Sequence, residues 1–185
     1  MKSIFTLSLI LVFIHINSQT RTFEFSFCGR QQKVKLSKSE TKYSGVIESE
    51  FHKKKSNRKI IRRKEIDKEI VKEIINQINK IGIYSFKDND DKINCGDDYL
   101  DGDYFTIKIS EGDFKFEKTY DEIYPESETK IIEKNDCRRN AQILATVIDN
   151  ELKLKNVFNR HLKKNGYNIC YWTGISEVCK VRKKK

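Results

Sequence analysis

The chain has 185 residues, of which 37% are hydrophobic, and it carries a formal net charge of +10 at pH 7. A chain of this length can bury most of its apolar surface as one domain, and no internal repeat or glycine-serine linker divides it, which excludes a tandem array. The positive charge predicts a long-range attraction of anions that weakens with salt, but charge alone does not select among anions.

The N-terminal segment has the three regions of a secretory signal peptide over 1–18. Lys2 supplies the cation, about a dozen apolar residues follow, and Ser18 is a small residue at the expected cleavage site. The apolar run is shorter than the about 20 residues that a membrane span needs. We therefore expect a secreted or periplasmic protein with no membrane span after signal removal and one domain over 19–179. Its formal charge becomes +9, because only Lys2 leaves with the signal.

Three strands are predicted after the signal peptide. Phe23, Phe25 and Phe27 alternate with polar residues, which is the period of a half-buried strand. A second strand is predicted around 34–36 and a third over 43–51, where Gly45 suggests a bulge or a close approach by another element. Successive strands of this kind predict an antiparallel meander.

The most basic stretch of the chain spans 53–64 and is expected to form a loop followed by a short strand around 59–62. Clustered cations of this kind attract polyanions. The alternative interpretation is a solvated face that keeps the protein soluble. The candidate polyanion-binding residues are Lys53, Lys54, Lys55, Arg58, Lys59, Arg62 and Arg63.

An amphipathic helix is predicted over about 65–81, because isoleucine or valine recurs there at three- and four-residue steps. Gly82 suits a left-handed cap at its C-terminal end. A continuous stripe of isoleucines is typical of a helix that packs on a sheet, so we expect this helix to cover one sheet face.

Aspartates concentrate over 88–103, and closely spaced carboxylates are the ligands that calcium requires. The spacing does not fit an EF-hand. If Asp88 opened such a loop, Ile93 would occupy the glycine position, and if Asp97 opened one, Lys108 would occupy the last ligand position. Cysteine and histidine spacing does not predict zinc either. The sequence therefore predicts no metal and no cofactor.

The strongest hairpin is predicted over 105–116, and a long helix follows over about 137–164. A single helix of this length would run roughly 40 Å, which exceeds a compact domain, so a bend or break near 149–150 is an equal alternative. The predicted fold class is α+β. It consists of an antiparallel sheet of about five to seven strands, packed by the helix at about 65–81 and the longer one at about 137–164, with a C-terminal hairpin.

Five cysteines lie in the predicted mature chain, where an oxidising destination predicts disulfides. A two-residue turn that opens on glycine would place Cys170 opposite Cys179 as a close, non-hydrogen-bonded hairpin pair. Cys95 with Cys137 is the second predicted disulfide. Cys28 would then be buried or free for an intermolecular bond.

His52 and His161 are the histidines of the predicted mature chain, and either could serve in acid–base chemistry. Solvated histidines with no catalytic role are the competing interpretation. We find no nucleophile elbow, no phosphate-binding glycine loop and no metalloprotease motif. The catalytic residues of any enzyme activity are therefore not identified.

The leading hypothesis is a small exported, non-enzymatic, disulfide-containing binding module with a basic surface. Its partner would be an acidic protein or an envelope polyanion. The alternative is an exported hydrolase of a nuclease-like kind. Tyr171 and Trp172 lie near a basic tail over 180–185, which we expect to be disordered, but the export signal and the lack of a binding motif argue against nucleic acid. An exposed Trp172 would indicate a contact surface.

Overall fold

The computed structural model describes residues 20–56, 58–83 and 102–181. The predicted signal peptide, almost all of the aspartate-rich segment and residues 182–185 of the basic tail lie outside the described residues.

The predicted α+β class is confirmed, with an antiparallel sheet, packed helices and a C-terminal hairpin. The described strands are β1 (Arg21–Phe27), β2 (Gln32–Ser39), β3 (Lys42–Lys53), β4 (Lys59–Glu65), β5 (Tyr104–Glu111), β6 (Phe114–Asp121), β7 (Ile169–Trp172) and β8 (Glu177–Lys180). The described α-helices are α1 (Lys68–Ile81), α2 (Glu126–Thr129), α3 (Asp136–Leu152) and α4 (Leu154–Lys164). None of these helices is long and apolar enough to cross a membrane.

Seven strands follow one hydrogen-bonded path in the order β6-β5-β1-β2-β3-β7-β8, and β4 pairs with β3 outside that path. The predicted meander of the first three strands is confirmed. Ser49 of β3 pairs with Gln32 of β2 and with Arg62 of β4, so β2 and β4 flank opposite edges of β3. Farther along β3, His52 pairs with Cys170 of β7. The long third strand therefore receives the C-terminal hairpin beyond the end of β2.

One face of the sheet carries the alternating phenylalanines of β1 and is covered by α1, α3 and α4. At Gly45, an added Cβ would lie 2.8 Å from Cγ2 of Val71, so this glycine allows α1 to approach β3 closely. Gly82 has a φ of 75° and caps α1 as expected. The largest fully buried side chains are Phe23, Phe25, Phe51, Phe105, Leu36, Ile47, Ile74, Ile75, Ile78, Ile83, Ile107 and Leu144.

The predicted long helix is broken at Lys153, a few residues after the expected point. Lys153 has a φ of 50°, and its amide donates to the carbonyl of Asp149 over 2.7 Å. The Asp149 carboxylate then accepts from the amide of Leu154, the first residue of α4, over 3.1 Å. Leu152 and Leu154 are both buried on either side of the break. The turn thus lets two consecutive helices pack on one sheet face.

Candidate anion-binding surface

The seven predicted polyanion-binding residues lie together on the hairpin formed by β3 and β4, and all seven are exposed. They occupy the end of β3 (Lys53), the connecting turn (Lys54, Lys55), the residue before β4 (Arg58) and β4 itself (Lys59, Arg62, Arg63). The structure thus brings the predicted residues to one edge of the sheet.

Pairing with β3 divides the cations of β4 between two faces. Directly paired residues of antiparallel strands point to the same face. Lys64 pairs with the buried core residue Ile47, so Lys64 and Arg62, two residues before it, point toward the helices. Arg63 pairs with Glu48 on the opposite face, which we call the open face.

Carboxylates neutralise the cations of β4 on the open face. Arg63 Nε lies 2.7 Å from Glu48 Oε1, and Lys35 Nζ lies 2.9 Å from the other oxygen of the same carboxylate. Lys59 Nζ lies 2.6 Å from Glu50 Oε2. The hydrogen bonds from Lys35 and Arg63 lower the pKa of Glu48, which keeps this carboxylate ionised and paired.

On the face toward the helices, β4 meets the C-terminal end of α4. Arg62 Nε donates to Oδ1 of Asn165, the C-terminal cap of α4, over 2.6 Å. The last turns of α4 add Arg160, Lys163 and Lys164, all of them exposed. No local signal in the sequence indicates that the helix carrying these three cations ends beside β4.

Beneath this junction lies His161, which is 6% exposed and whose Nδ1 is 2.9 Å from Oγ of the buried Ser49. The pKa of His161 is lowered, first by burial and then by four positive charges near it. These four residues form what we call the cationic cluster: Arg62, Lys64, Arg160 and Lys164.

The cationic cluster has no neutralising ion pair within the described part of the chain. No carboxylate oxygen there lies within 4.0 Å of its charged nitrogens, in contrast to the paired cations of the open face. Like charges held beside a low-dielectric interior raise the local potential and attract anions. The cluster is therefore better suited to binding an anion than the paired cations of the open face.

A cleft of about 910 Å³ lies on the open face and is lined by strands β1 to β6. Its walls pair opposite charges with one another: Lys108 Nζ is 2.6 Å from Glu117 Oε1, and Lys35 Nζ is 4.0 Å from Glu24 Oε2. Its charged lining residues are Glu24, Lys35, Arg63, Glu65, Lys108, Lys115 and Glu117. Because cations and carboxylates both line this cleft and pair with each other, the cleft does not select an anion.

The predicted disulfide of the C-terminal hairpin is present. Cys170 and Cys179 are directly paired across β7 and β8, with Cα atoms 4.0 Å apart. The amide of Thr173 donates to the carbonyl of Ser176 over 2.9 Å, and Gly174 has a φ of 91°, as the turn-based register requires. The structure thus confirms both this disulfide and its hairpin.

His52 lies beside this disulfide. Its Nε2 is 2.6 Å from Oε1 of Glu177, and the Cys170 sulfur is close to both groups. Because that sulfur is bonded to Cys179, it is not a thiolate and cannot serve as the third ligand of a metal site. His161 is buried, so it gains no support for acid–base chemistry on a substrate, and the described contacts of His52 are with the Glu177 carboxylate beside the disulfide.

The remaining cysteines are only partly described. Cys137, at the start of α3, takes part in a disulfide, but its predicted partner Cys95 lies outside the described residues, and that pair stays a prediction. Cys28 is a free, partly buried thiol in the 3-10 turn after β1.

A further group of titratable residues lies where the C-terminal hairpin meets the start of β5. A Cβ added at Gly174 would lie 2.4 Å from Oδ1 of Asp103, so the hairpin turn rests directly on this carboxyl group. Burial raises the pKa of Asp103. Burial and the neighbouring Asp103 charge raise the pKa of Tyr124 to about 12. The contact anchors the hairpin to β5 and offers no exposed cation to a ligand.

The two aromatic residues of the hairpin lie in different environments, and one of them packs inward as expected. Tyr171 packs edge-on against Phe158 at 4.8 Å between ring centroids, whereas Trp172 is 48% exposed. Trp172 thus meets the condition stated above for a contact surface, which stays an expectation.

No protein-family model matches this chain, and a search of curated proteins finds no significant match.

Proposed function

We propose that this chain is an exported, disulfide-containing binding module whose basic surface binds an acidic protein or an envelope polyanion. The cationic cluster on β4 and α4 forms the centre of that surface. The single observation that carries the proposal is the contrast in ion pairing, since the cluster has no carboxylate partner within the described residues while Lys59 and Arg63 do.

The disulfide between Cys170 and Cys179 supports the exported setting, because disulfides persist in oxidising compartments. It also stiffens a hairpin that pairs with β3 at His52 and Lys53, beside the basic turn. A preformed, rigid surface binds with a smaller loss of conformational entropy than one that must be ordered. The hairpin therefore supports the basic edge, and its disulfide is compatible with an oxidising compartment.

The test compares matched charge removals on the two faces of β4. The double variant Arg62→Gln/Arg160→Gln removes two cluster cations, and Lys59→Gln/Arg63→Gln removes two paired cations and is the control. Binding of fluorescent inorganic polyphosphate to the chain from residue 19 is measured by anisotropy in 50 and 200 mM salt.

We expect the cluster variant to bind polyphosphate about tenfold more weakly and with a shallower salt dependence. The control should change affinity by less than about threefold, because its cations already interact with carboxylates. Equal losses in both variants would show that net charge alone determines binding, and would contradict a localised site.

A further inference from the structure

We propose that the preferred partner is an extended acidic polypeptide segment that adds to the sheet as a strand along the outer edge of β4. The inference rests on the proposed function and assigns its partner class. It depends on the backbone of β4, whose direction of hydrogen bonding can be read from its pairing with β3.

Alternate residues of β4 direct their backbone groups away from the sheet. The amide of Ile66 donates to the carbonyl of Gly45 over 2.9 Å, and the carbonyl of Arg58 accepts from the amide of Lys53 over 3.1 Å. Antiparallel bonding alternates along a strand, so even-numbered residues from 58 to 66 bond to β3. The N–H and C=O groups of the odd-numbered residues therefore form the outer edge: Lys59, Ile61, Arg63 and Glu65.

This edge is long and open within the described residues. β4 spans seven residues, pairs there with β3 alone, and keeps every side chain exposed except the half-buried Ile60. Edge lysines and arginines normally discourage pairing with other strands, because like charges repel. For a strand of opposite charge the same residues favour pairing, which selects an acidic partner over a second copy of this basic chain.

The two faces of β4 further specify the sequence of the added strand. Side chains that the partner directs toward the helices would lie beside Arg62 and Lys64, where carboxylates are favoured. Side chains on the open face would lie beside Ile61, which is 43% exposed, and Arg63, which is already paired with Glu48. Uncharged β-branched residues suit that face. The expected partner therefore alternates acidic and β-branched residues.

The experiment uses a labelled seven-residue peptide in which Glu alternates with Thr and Val, as long as β4. Ile61→Pro removes one outward N–H, keeps every charge and leaves the bonds to β3 intact, because proline is tolerated on the outer side of an edge strand. Ile61→Thr is the matched control that keeps the N–H. Inorganic polyphosphate is the control ligand, because it can bind the cations without pairing with the backbone of β4.

We expect Ile61→Pro to weaken peptide binding about tenfold and to change polyphosphate binding by less than about twofold. Ile61→Thr should retain peptide binding within about threefold. Peptide binding should also protect the amides of Ile61 and Arg63 from hydrogen exchange. An N-methylated peptide tested on the unaltered protein should lose affinity as well, so the result does not depend on the folding of a variant.

Unchanged binding of the N-methylated peptide would overturn strand addition, and the proposed function would stand if polyphosphate still bound through the cationic cluster. If neither the peptide nor polyphosphate bound the unaltered protein, the proposed function would fail together with this inference.

Discussion

The two faces of β4 carry cations from the same short run of sequence, yet they differ in what lies opposite them. On the open face Arg63 is paired with Glu48, whereas on the face toward the helices Arg62 is opposite Ser49 and Lys64 is opposite Ile47. Alternation along one strand thus separates neutralised cations from unneutralised ones. A basic run therefore indicates a binding surface only when the fold places its cations away from carboxylates.

The largest expected effect comes from removing the contact that holds α4 against the sheet. Phe158 is 3% exposed and packs on Phe51 with ring centroids 5.1 Å apart. Phe158→Ala should lower the free energy of unfolding by about 3–5 kcal/mol, measured by urea denaturation. Because Arg160 and Lys164 lie on the same helix, polyphosphate affinity should fall as well. Unchanged stability would show that this contact does not hold α4 in place.

A second prediction reverses the contrast by releasing the cations of the open face. Glu48→Gln/Glu50→Gln removes the carboxylates that pair with Lys35, Lys59 and Arg63. Polyphosphate affinity should rise about three- to tenfold, since more unpaired cations become accessible. Glu73→Gln/Glu151→Gln, on the exposed sides of α1 and α3, is the control that removes the same number of charges. An affinity that rises no more than in this control would contradict the neutralising role of the two glutamates.

The smallest effect concerns pH and tests the buried side of the cluster. Because the folded state lowers the pKa of His161, the unfolded chain takes up a proton at higher pH than the folded one. The contribution of His161 to the free energy of unfolding is therefore fully present above about pH 6.5. It is lost as the pH falls toward the lowered pKa of the folded state. The slope attributable to His161 cannot exceed about 1.4 kcal/mol per pH unit.

Urea denaturation of the unaltered protein and of His161→Gln between pH 5 and 8 measures this slope. Glutamine does not titrate in this range, so the variant should lose less stability on acidification. Parallel pH profiles would show that His161 does not contribute to the acid sensitivity.

The sequence predicted those parts of the fold that depend on local periodicity. The phenylalanines of β1 and the isoleucines of α1 each follow the period of one element, and the spacing of Cys170 and Cys179 predicted both the hairpin and its disulfide. The turn at Lys153 was placed a few residues too early, because a left-handed lysine has no clear sequence signature.

Long-range packing explains what the sequence could not predict about the candidate site. The hydrogen bond between Arg62 and Asn165 joins residues 103 positions apart, and no periodic pattern connects β4 with α4. The predicted cations lie together on one hairpin, but which of them lack carboxylate partners depends on the register with β3. Three of the four residues of the cationic cluster, Lys64, Arg160 and Lys164, were therefore assigned from the structure and not from the predicted set of cations.

The C-terminal hairpin also has a kinetic consequence. Its disulfide joins cysteines nine positions apart, so the hairpin can close locally, whereas its pairing with β3 brings together His52 and Cys170 from distant parts of the chain. Contacts of such high sequence separation form slowly, because a long loop must be closed before they stabilise the fold. An oxidised hairpin presents β7 as a preformed strand at this late step, so oxidation should accelerate completion of the sheet.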